Sequence, residues 1–324
     1  MKPTFHALPV NGPFEDPCVY VRIIREGRAL LFDLGHLGRL SLGNLLKVSD
    51  IFVTHTHIDH FIGFDMVLRC FLKRNEPLNI YGPENIISCV EGKLKGYTWN
   101  LIKDYPLKIN VYAITDRLLF HAGFYAENSF KRIDYPERQF HGIILQEPLF
   151  RVKALTLSHQ IPVTAYCIEE DFHININKAS LLDRGLPVGP WLSKLKNAIR
   201  NRDPEETEFI INERIYCLKE LMDIVTITKG QKISYVMDVS PMDENVQKII
   251  QFVKDSDILF CEAYFLDRDR ERAFERHHLT AAIAGKIARD ANVGNLHIMH
   301  FSPKYRHSEQ EIYEEAMRSF KDYL

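Results

Sequence analysis

The segment His55-Thr-His57-Ile-Asp59-His60 places four metal-competent side chains within six residues. The stretch before it, Ile51-Phe-Val-Thr54, reads as a strand, and in a strand residues i and i+2 project from the same side. His55 and His57 therefore point together, spaced so that two neutral imidazoles share one cation. Asp59 and His60 fall where the chain turns into a helix, and they face a second cation nearby. Core packing does not explain such a set, because unpaired buried imidazoles and a carboxylate carry a heavy desolvation cost. The competing explanation is a histidine-rich surface loop. Other hydrolytic signatures are absent: there is no helical His-Glu-x-x-His, no Gly-x-Ser-x-Gly and no Gly-rich phosphate loop ending in lysine. What remains is hydrolysis by metal-activated water. A two-cation site needs further donors, and strand ends offer them at His159, Asp238 and His300. Singly, a histidine at a strand end is more often a hydrogen-bonded structural residue; the order and type of the whole set shift that weighting.

These donors need strands to carry them. Strands are expected over 18–24, 29–34, 51–54, 78–81 (ended by Gly82-Pro83), 109–114, 142–145, 150–157, 165–169, 233–237, 258–261 and 297–299. Helices are expected over 59–72, where Phe61, Ile62, Met66, Leu68 and Leu72 make an apolar stripe, and over 245–254, 280–291 and 308–323. Many strands with interspersed helices and no regular βαβ alternation imply an α+β fold with sheet packed on sheet and helices outside. The stretch 178–208 breaks the pattern with Gly185, Pro187, Gly189, Pro190 and Pro204, and it reads as an excursion from the main body. Within it Arg184, Lys194, Lys196, Arg200 and Arg202 occur with no acidic residue from 184 to 202, an unbalanced run that fits either phosphate contacts or a solvated helix face.

Composition bounds the rest. A chain of 324 residues with 46% hydrophobic and 26% charged residues is globular, long enough for one large domain or two small ones. A net charge of −2 excludes nucleic-acid binding by bulk positive charge, though not by a local patch. No apolar run reaches membrane-spanning length, so no membrane partner is expected, and residues 1–13 lack a secretory pattern. The six cysteines are scattered without a Cys-x-x-Cys, which fits a reducing, cytoplasmic setting.

The ordered set resembles the metallo-β-lactamase fold family, which carries His-x-His-x-Asp-His, then a lone His, an Asp and a final His. Within it the chain is similar to the ribonuclease Z family of transfer RNA 3′-processing endonucleases. His159-Gln-Ile-Pro-Val-Thr-Ala-Tyr166 resembles the lone-His motif. Gly185-Leu-Pro-Val-Gly-Pro190-Trp-Leu-Ser-Lys-Leu-Lys196 resembles the Gly-Pro segment of an arm that grips the transfer RNA elbow. His300-Phe-Ser-Pro-Lys-Tyr305 resembles the last motif, and His278-Leu-Thr280 the His-x-Thr element that assists the leaving group. The resemblance implies a four-layer αββα sandwich over 1–324 with an inserted arm at 178–208. It implies two Zn2+ (Mn2+ being another option), with His55, His57 and His159 on one, Asp59, His60 and His300 on the other, and Asp238 bridging. Asp33, in Asp33-Leu-Gly35, would orient a ligand imidazole, a role compatible with a turn-capping aspartate.

The implied mechanism is attack on a phosphodiester by a hydroxide shared between two cations about 3.5–4 Å apart. Asp59 would orient or deprotonate the water, His278 would serve the leaving oxygen, and Glu262 would hold His278 in one tautomer. Lys194, Lys196, Arg200 and Arg202 would contact phosphates, with Trp191 anchoring the arm. The implied partner is a transfer RNA precursor, and the implied assembly a homodimer. The chain departs from the family at its N-terminal loop, where Val10-Asn-Gly-Pro-Phe-Glu-Asp-Pro-Cys18 replaces a basic segment near the RNA terminus. It departs again at His36-Leu-Gly38-Arg39 and at Met237-Asp238-Val239. The missing N-terminal loop favours the alternative, a hydrolase of the same fold acting on a small phosphodiester or ester, whereas the Gly-Pro arm favours the endoribonuclease. Third is a binding protein that has lost catalysis.

Overall fold

A computed structural model describes residues 3–24 and 26–321. Met1, Lys2 and residues 322–324, which include the limits of the expected domain and the tail of the helix expected over 308–323, lie outside the described residues.

Eight strands form the first sheet in chain order: β1 (Phe5–Pro9), β2 (Val19–Ile23), β3 (Arg28–Phe32), β4 (Val48–Phe52), β5 (Leu78–Pro83), β6 (Lys108–Ile114), β7 (Leu118–Tyr125) and β8 (Arg132–Gln139). Strands β3 to β6 run parallel. The helices between them are α1 (Leu42–Leu45), α2 (Ile58–Phe61), α3 (Phe64–Phe71) and α4 (Ile86–Lys95). Next come β9 (Ile143–Gln146), β10 (Phe150–His159) and β11 (Ile161–Glu170). The inserted unit then carries β12 (Phe172–Ile176), α5 (Lys178–Asp183), α6 (Trp191–Asn201), β13 (Glu208–Ile211), β14 (Arg214–Cys217), α7 (Leu218–Leu221) and β15 (Val225–Lys229). The chain closes with β16 (Lys232–Val236), α8 (Asp243–Val253), β17 (Ile258–Glu262), α9 (Arg270–Arg276), α10 (Ala281–Asp290), β18 (Asn295–Met299) and α11 (Glu309–Lys321). The second sheet has the order β18-β17-β16-β11-β10-β9.

Side-chain alternation makes the layers. On β3, β4 and β5, Leu31, Ile51 and Ile80 face outward against Phe64, Val67, Phe71, Ile86 and Val90 of α3 and α4. The intervening residues Leu30, Phe32, Phe52 and Tyr81 face inward and meet Phe150, Val152, Tyr166, Ile168, Tyr235 and Phe260 of the second sheet. The other face of that sheet, with Leu157, Val163, Leu259 and Ile298, packs on Ile249, Val253, Ile287 and Ile312 of the C-terminal helices. Three apolar layers between four structural layers make an αββα sandwich, as expected. Strands covered on both faces carry little polar alternation, which is why the central ones read as short apolar runs.

Three expectations change. The helix expected over 59–72 is broken into α2 and α3 at Gly63, whose N–H donates to the Leu34 carbonyl at 2.8 Å. A Cβ at that position would collide with the Gly35 carbonyl oxygen, so the chain needs glycine there at a point of close approach. The strand expected to stop before Gly82-Pro83 runs through both, with Pro83 as its last residue opposite Ile114, a position where the missing N–H is tolerated. The excursion expected at 178–208 lies inside a larger unit. It leaves the second sheet at Glu170, and β12 pairs with β15 while β13 pairs with β14. Its core is Leu181, Leu186, Trp191, Leu195, Ala198, Phe209, Leu218 and Leu221. Trp191 anchors this core, its Nε1 donating to the Pro187 carbonyl at 2.9 Å.

Candidate metal centre

Backbone conformation concentrates the donors at one edge of the sandwich. Asp33, Asp238 and His300 each follow a strand end (β3, β16 and β18) and each takes a left-handed φ, of 59°, 49° and 58°. Such a conformation costs a non-glycine residue roughly 1–2 kcal/mol. Here it swings each side chain off the strand end toward the space between the sheets. The edge is also sewn shut: Thr164 N donates to Thr54 O at 2.9 Å, and the buried Tyr166 hydroxyl donates to Val53 O at 2.7 Å. Strand β11 is thereby tied to the end of β4 beside His55.

Around this edge the imidazoles crowd. The ring centroids of His55 lie 4.3 Å from His57, 4.2 Å from His60 and 5.9 Å from His159. His57 and His159 are also 5.9 Å apart. Asp238 sits among them: its Oδ2 is 3.3 Å from His55 Nε2 and 3.3 Å from His60 Nε2, and its Oδ1 is 2.7 Å from His300 Nδ1. Asp59 Oδ2 lies 3.3 Å from His300 Nε2 and 3.7 Å from His60 Nε2. The donor atoms fall into sets within 4.8 Å of one another: His55, His57 and Asp238; Asp59, His60 and His300; and Asp238, Glu262, His278 and His300. His159 stands at the rim of the first set, its Nδ1 donating to the His277 carbonyl at 2.7 Å. Every residue expected to hold a cation is therefore at this edge, and Asp238 is common to two sets.

Neighbouring groups fix the tautomers. The Thr54 hydroxyl donates to Asp33 at 2.9 Å, so the Nδ1–H groups of His55 (3.1 Å from Thr54 Oγ1) and His60 (2.8 Å from Asp33 Oδ2) are the donors in their own contacts. Neutral His55 and His60 thus present bare Nε2 atoms. Asp33 also accepts from Thr54 N at 2.7 Å and Tyr235 OH at 2.9 Å, which makes it the hub that holds His60. The turn-capping and ligand-orienting readings of Asp33 coincide in one carboxylate. Thr54, Tyr235 and Tyr264 were not singled out from sequence. Thr54 could have been found as the residue abutting the histidine cluster; Tyr264, whose ring stacks 4.1 Å from that of His278, carries no local signal.

His55 Nε2, His60 Nε2, Asp238 Oδ1 and His300 Nδ1 are buried and, among the described residues, have no hydrogen-bond partner. The 2.7 Å approach of His300 Nδ1 to Asp238 Oδ1 lacks hydrogen-bond angles. Buried polar atoms are seldom left so. Their residues all belong to the donor sets within 4.8 Å, and hard carboxylate with imidazole nitrogen suits divalent cations. The residues fit a metal centre. Without metal, protons substitute. Burial pushes His60 down, but Asp33 and Asp238 outweigh it and raise it to about 10. Burial likewise opposes His300, yet Asp238 and Asp59 hold it well above its ordinary value. Asp238 is pushed up by burial and pulled well below the carboxylate range by His300 and His60. Burial and the charge of His60 push His55 down to about 4.

A pH dependence follows. At pH 8 His60 carries a proton that an incoming cation must expel, and Asp238 and Asp59 favour the protonated form of His300 as well. Metal uptake is expected to release protons, that of His60 among them, and affinity to rise with pH until His60 deprotonates near pH 10. Calorimetric titration in buffers of different ionisation enthalpy checks this; uptake without proton release contradicts it. The same shift makes charged His60 stabilising to the metal-free fold below about pH 6.5, a contribution lost as pH climbs through about 10.

The basic residues of the inserted unit do not share a face. At 100° per residue, Lys196 and Arg200 of α6 lie together, whereas Lys194 is on the far side. Lys196 Nζ donates to Ile174 O at 2.6 Å. Lys196 and Arg200 line a cavity of about 220 Å³ against the body with Thr4, Glu26 and His173. Lys194 and Arg202 are exposed. Of the four residues expected to contact phosphates, Lys194 and Arg202 are thus exposed, while the helical period sets Lys196 and Arg200 half-buried on the cavity side.

No family model matches the chain. A curated relative, the ribonuclease Z of Nanoarchaeum equitans, is 31% identical over 294 residues, covering 89% of this chain and 79% of the relative. Among solved structures, a metallo-β-lactamase fold protein of Bacillus subtilis superposes with a TM-score of 0.57 at 16% identity, over 99% of this chain and 94% of its own. The short form of human tRNase Z gives 0.52 at 17% identity, over 93% of each. The two likenesses carry the fold.

Proposed function

Because this chain belongs to the ribonuclease Z family, we propose that it is a metal-dependent endoribonuclease that cleaves transfer RNA precursors at the 3′ end. The observation that carries the reading is the convergence of four orphaned buried atoms, from His55, His60, Asp238 and His300, at the strand-end edge. Two Zn2+ ions, or Mn2+, are the proposed occupants: His55, His57 and His159 would hold one, Asp59, His60 and His300 the other, with Asp238 shared. Bound there, divalent cations supply a water-derived nucleophile at neutral pH and charge stabilisation for the phosphodiester.

The chain's own groups do the rest. Asp59 is the most exposed of the carboxylates at the centre, with 36% of its side chain open, and is placed to orient or deprotonate the water. The Nδ1 of His278 lies 2.8 Å from Glu262 Oε2, which leaves Nε2 facing away, and its imidazolium form would deliver the Nε2 proton to the leaving oxygen. Lys194 and Arg202 are proposed to meet phosphates. The structural domain is proposed to be single, with the arm as a unit inserted into the second sheet.

A homodimer is proposed because Ile58, Ile62 and Met66 lie exposed at i, i+4 and i+8 beside the centre. Six free cysteines favour the cytoplasm. Among the described residues no helix is long and apolar enough to cross a membrane. One observation favours the second reading, a small-phosphodiester hydrolase. The loop over residues 10–18 packs beside the last motif, with Phe301 N donating to Pro13 O at 2.7 Å, and it brings no basic residue for an RNA terminus.

The test is a purified-protein assay on a transfer RNA precursor with the cut mapped, run beside a chromogenic phosphodiester. A single cut at the 3′ boundary is expected, with a Michaelis constant that rises roughly tenfold for a fourfold increase in salt if two phosphates are contacted. Turnover of the small ester with intact RNA selects the second reading.

A further inference from the structure

We propose that His277 is a positioning residue for this centre: its left-handed backbone aims a carbonyl that fixes the ring of His159. The inference rests on the metal reading above.

His277 ends α9 with φ 60°, and its carbonyl oxygen lies 2.7 Å from His159 Nδ1. A carbonyl only accepts, so His159 carries its proton on Nδ1 and presents Nε2 bare. The ring of His277 then locks the arrangement. The Gln160 amide N–H donates to His277 Nε2 at 2.7 Å, so the remaining proton is on Nδ1, which lies 3.4 Å from Ser240 Oγ. Gln160 is itself left-handed, at φ 59°, as the tip of the turn between β10 and β11. Ser240 lies two residues beyond Asp238, and its N–H donates to Ser158 O at 2.9 Å. One residue therefore clasps the turn carrying His159 to the loop carrying Asp238. Three left-handed residues at one junction (Gln160, Asp238 and His277) are stored strain that needs such a clasp. The position is half-buried, so core packing does not explain it. A carboxylate or carbonyl behind a ligand imidazole sets its tautomer and orientation, and losing it typically costs 10–100-fold in metal affinity.

The test titrates metal-free protein with cobalt(II) and follows visible absorption, alongside thermal melts in chelator. Wild type is expected to take up two equivalents. Residue 277 is replaced by Gly, Asn, Ala and Val, which span a rising cost of the left-handed conformation. One of the two binding steps is expected to weaken in that order. His277→Asn keeps the left-handed backbone but gives up the ring contacts with Gln160 and Ser240, so it falls below wild type yet stays tighter than His277→Val, which loses roughly 10–100-fold with an altered spectrum for that step alone. His277→Ala keeps the series readable if the Val variant does not fold. Equal affinities across the series overturn the inference, as does loss of both steps in parallel with melting temperature. Wild type that takes up no cobalt overturns the metal reading itself, a separate failure.

Discussion

Stripping the centre with a chelator is expected to lower RNA cleavage by roughly 10⁴-fold or more, with recovery on adding back zinc or manganese. The fold is expected to survive. The reason is the charge balance at the edge. Asp238 and Asp59 are carboxylates held below their ordinary range, and in the metal-free protein His60 and His300 answer them with protons. Removing the cations therefore leaves paired charges and not bare ones, which is the costly outcome for a buried site. Far-UV circular dichroism is expected to be unchanged, with the melting temperature a few degrees lower. Asp59→Ala is expected to reproduce the loss of turnover with at least one cation still bound, because His55, His57 and Asp238 do not depend on it. Global unfolding on chelation, or cleavage that persists in excess chelator, contradicts this account.

The parts of this architecture that sequence made legible are those where chemistry and period coincide. His55 and His57 follow a strand whose two-residue alternation aims both rings the same way. Asp238 and His300 follow apolar runs buried on both faces, which are hard to mistake. Other parts depended on contacts distant in the chain. Strands β7 and β8 were not expected: β8 lies at a sheet edge, almost wholly exposed, with Pro136 in its middle, and shows no apolar alternation. The full extent of the inserted unit is not legible, because β12 and β15 pair across about fifty residues of intervening chain and neither strand is apolar enough to announce itself. The basic run of α6 was legible as charge but not as geometry; the helical period that separates Lys194 from Lys196 and Arg200 was available and decides which of them reaches solvent. Family resemblance points to His278 and tautomer chemistry to Glu262 as its partner, and no spacing in the sequence implies their 2.8 Å contact.

That pair supports the second large expectation. His278→Ala is expected to reduce kcat on RNA roughly 10²–10³-fold, the usual yield of a positioned general acid, with little change in KM. The ring is fixed on two sides. Glu262 Oε2 holds Nδ1 at 2.8 Å, and Tyr264 lies parallel to the ring face at 10° and 4.1 Å. Only Nε2 is left to act. A proton donor matters in proportion to the basicity of the leaving oxygen, and a ribose alkoxide is a poor leaving group whereas a nitrophenolate is a good one. Turnover of a nitrophenyl phosphodiester by the variant is thus expected to stay within a few-fold of wild type. Glu262 carries a second duty, since its Oε1 accepts from Val239 N at 2.6 Å, next to Asp238. A glutamine there has one acceptor for two donors. Glu262→Gln must therefore abandon either His278 or the Asp238 loop, and it is expected to lose activity on both substrates, unlike His278→Ala. Equal losses on the two esters in His278→Ala would instead make His278 a structural support of Asp238, from which its Nδ1 is 3.6 Å away.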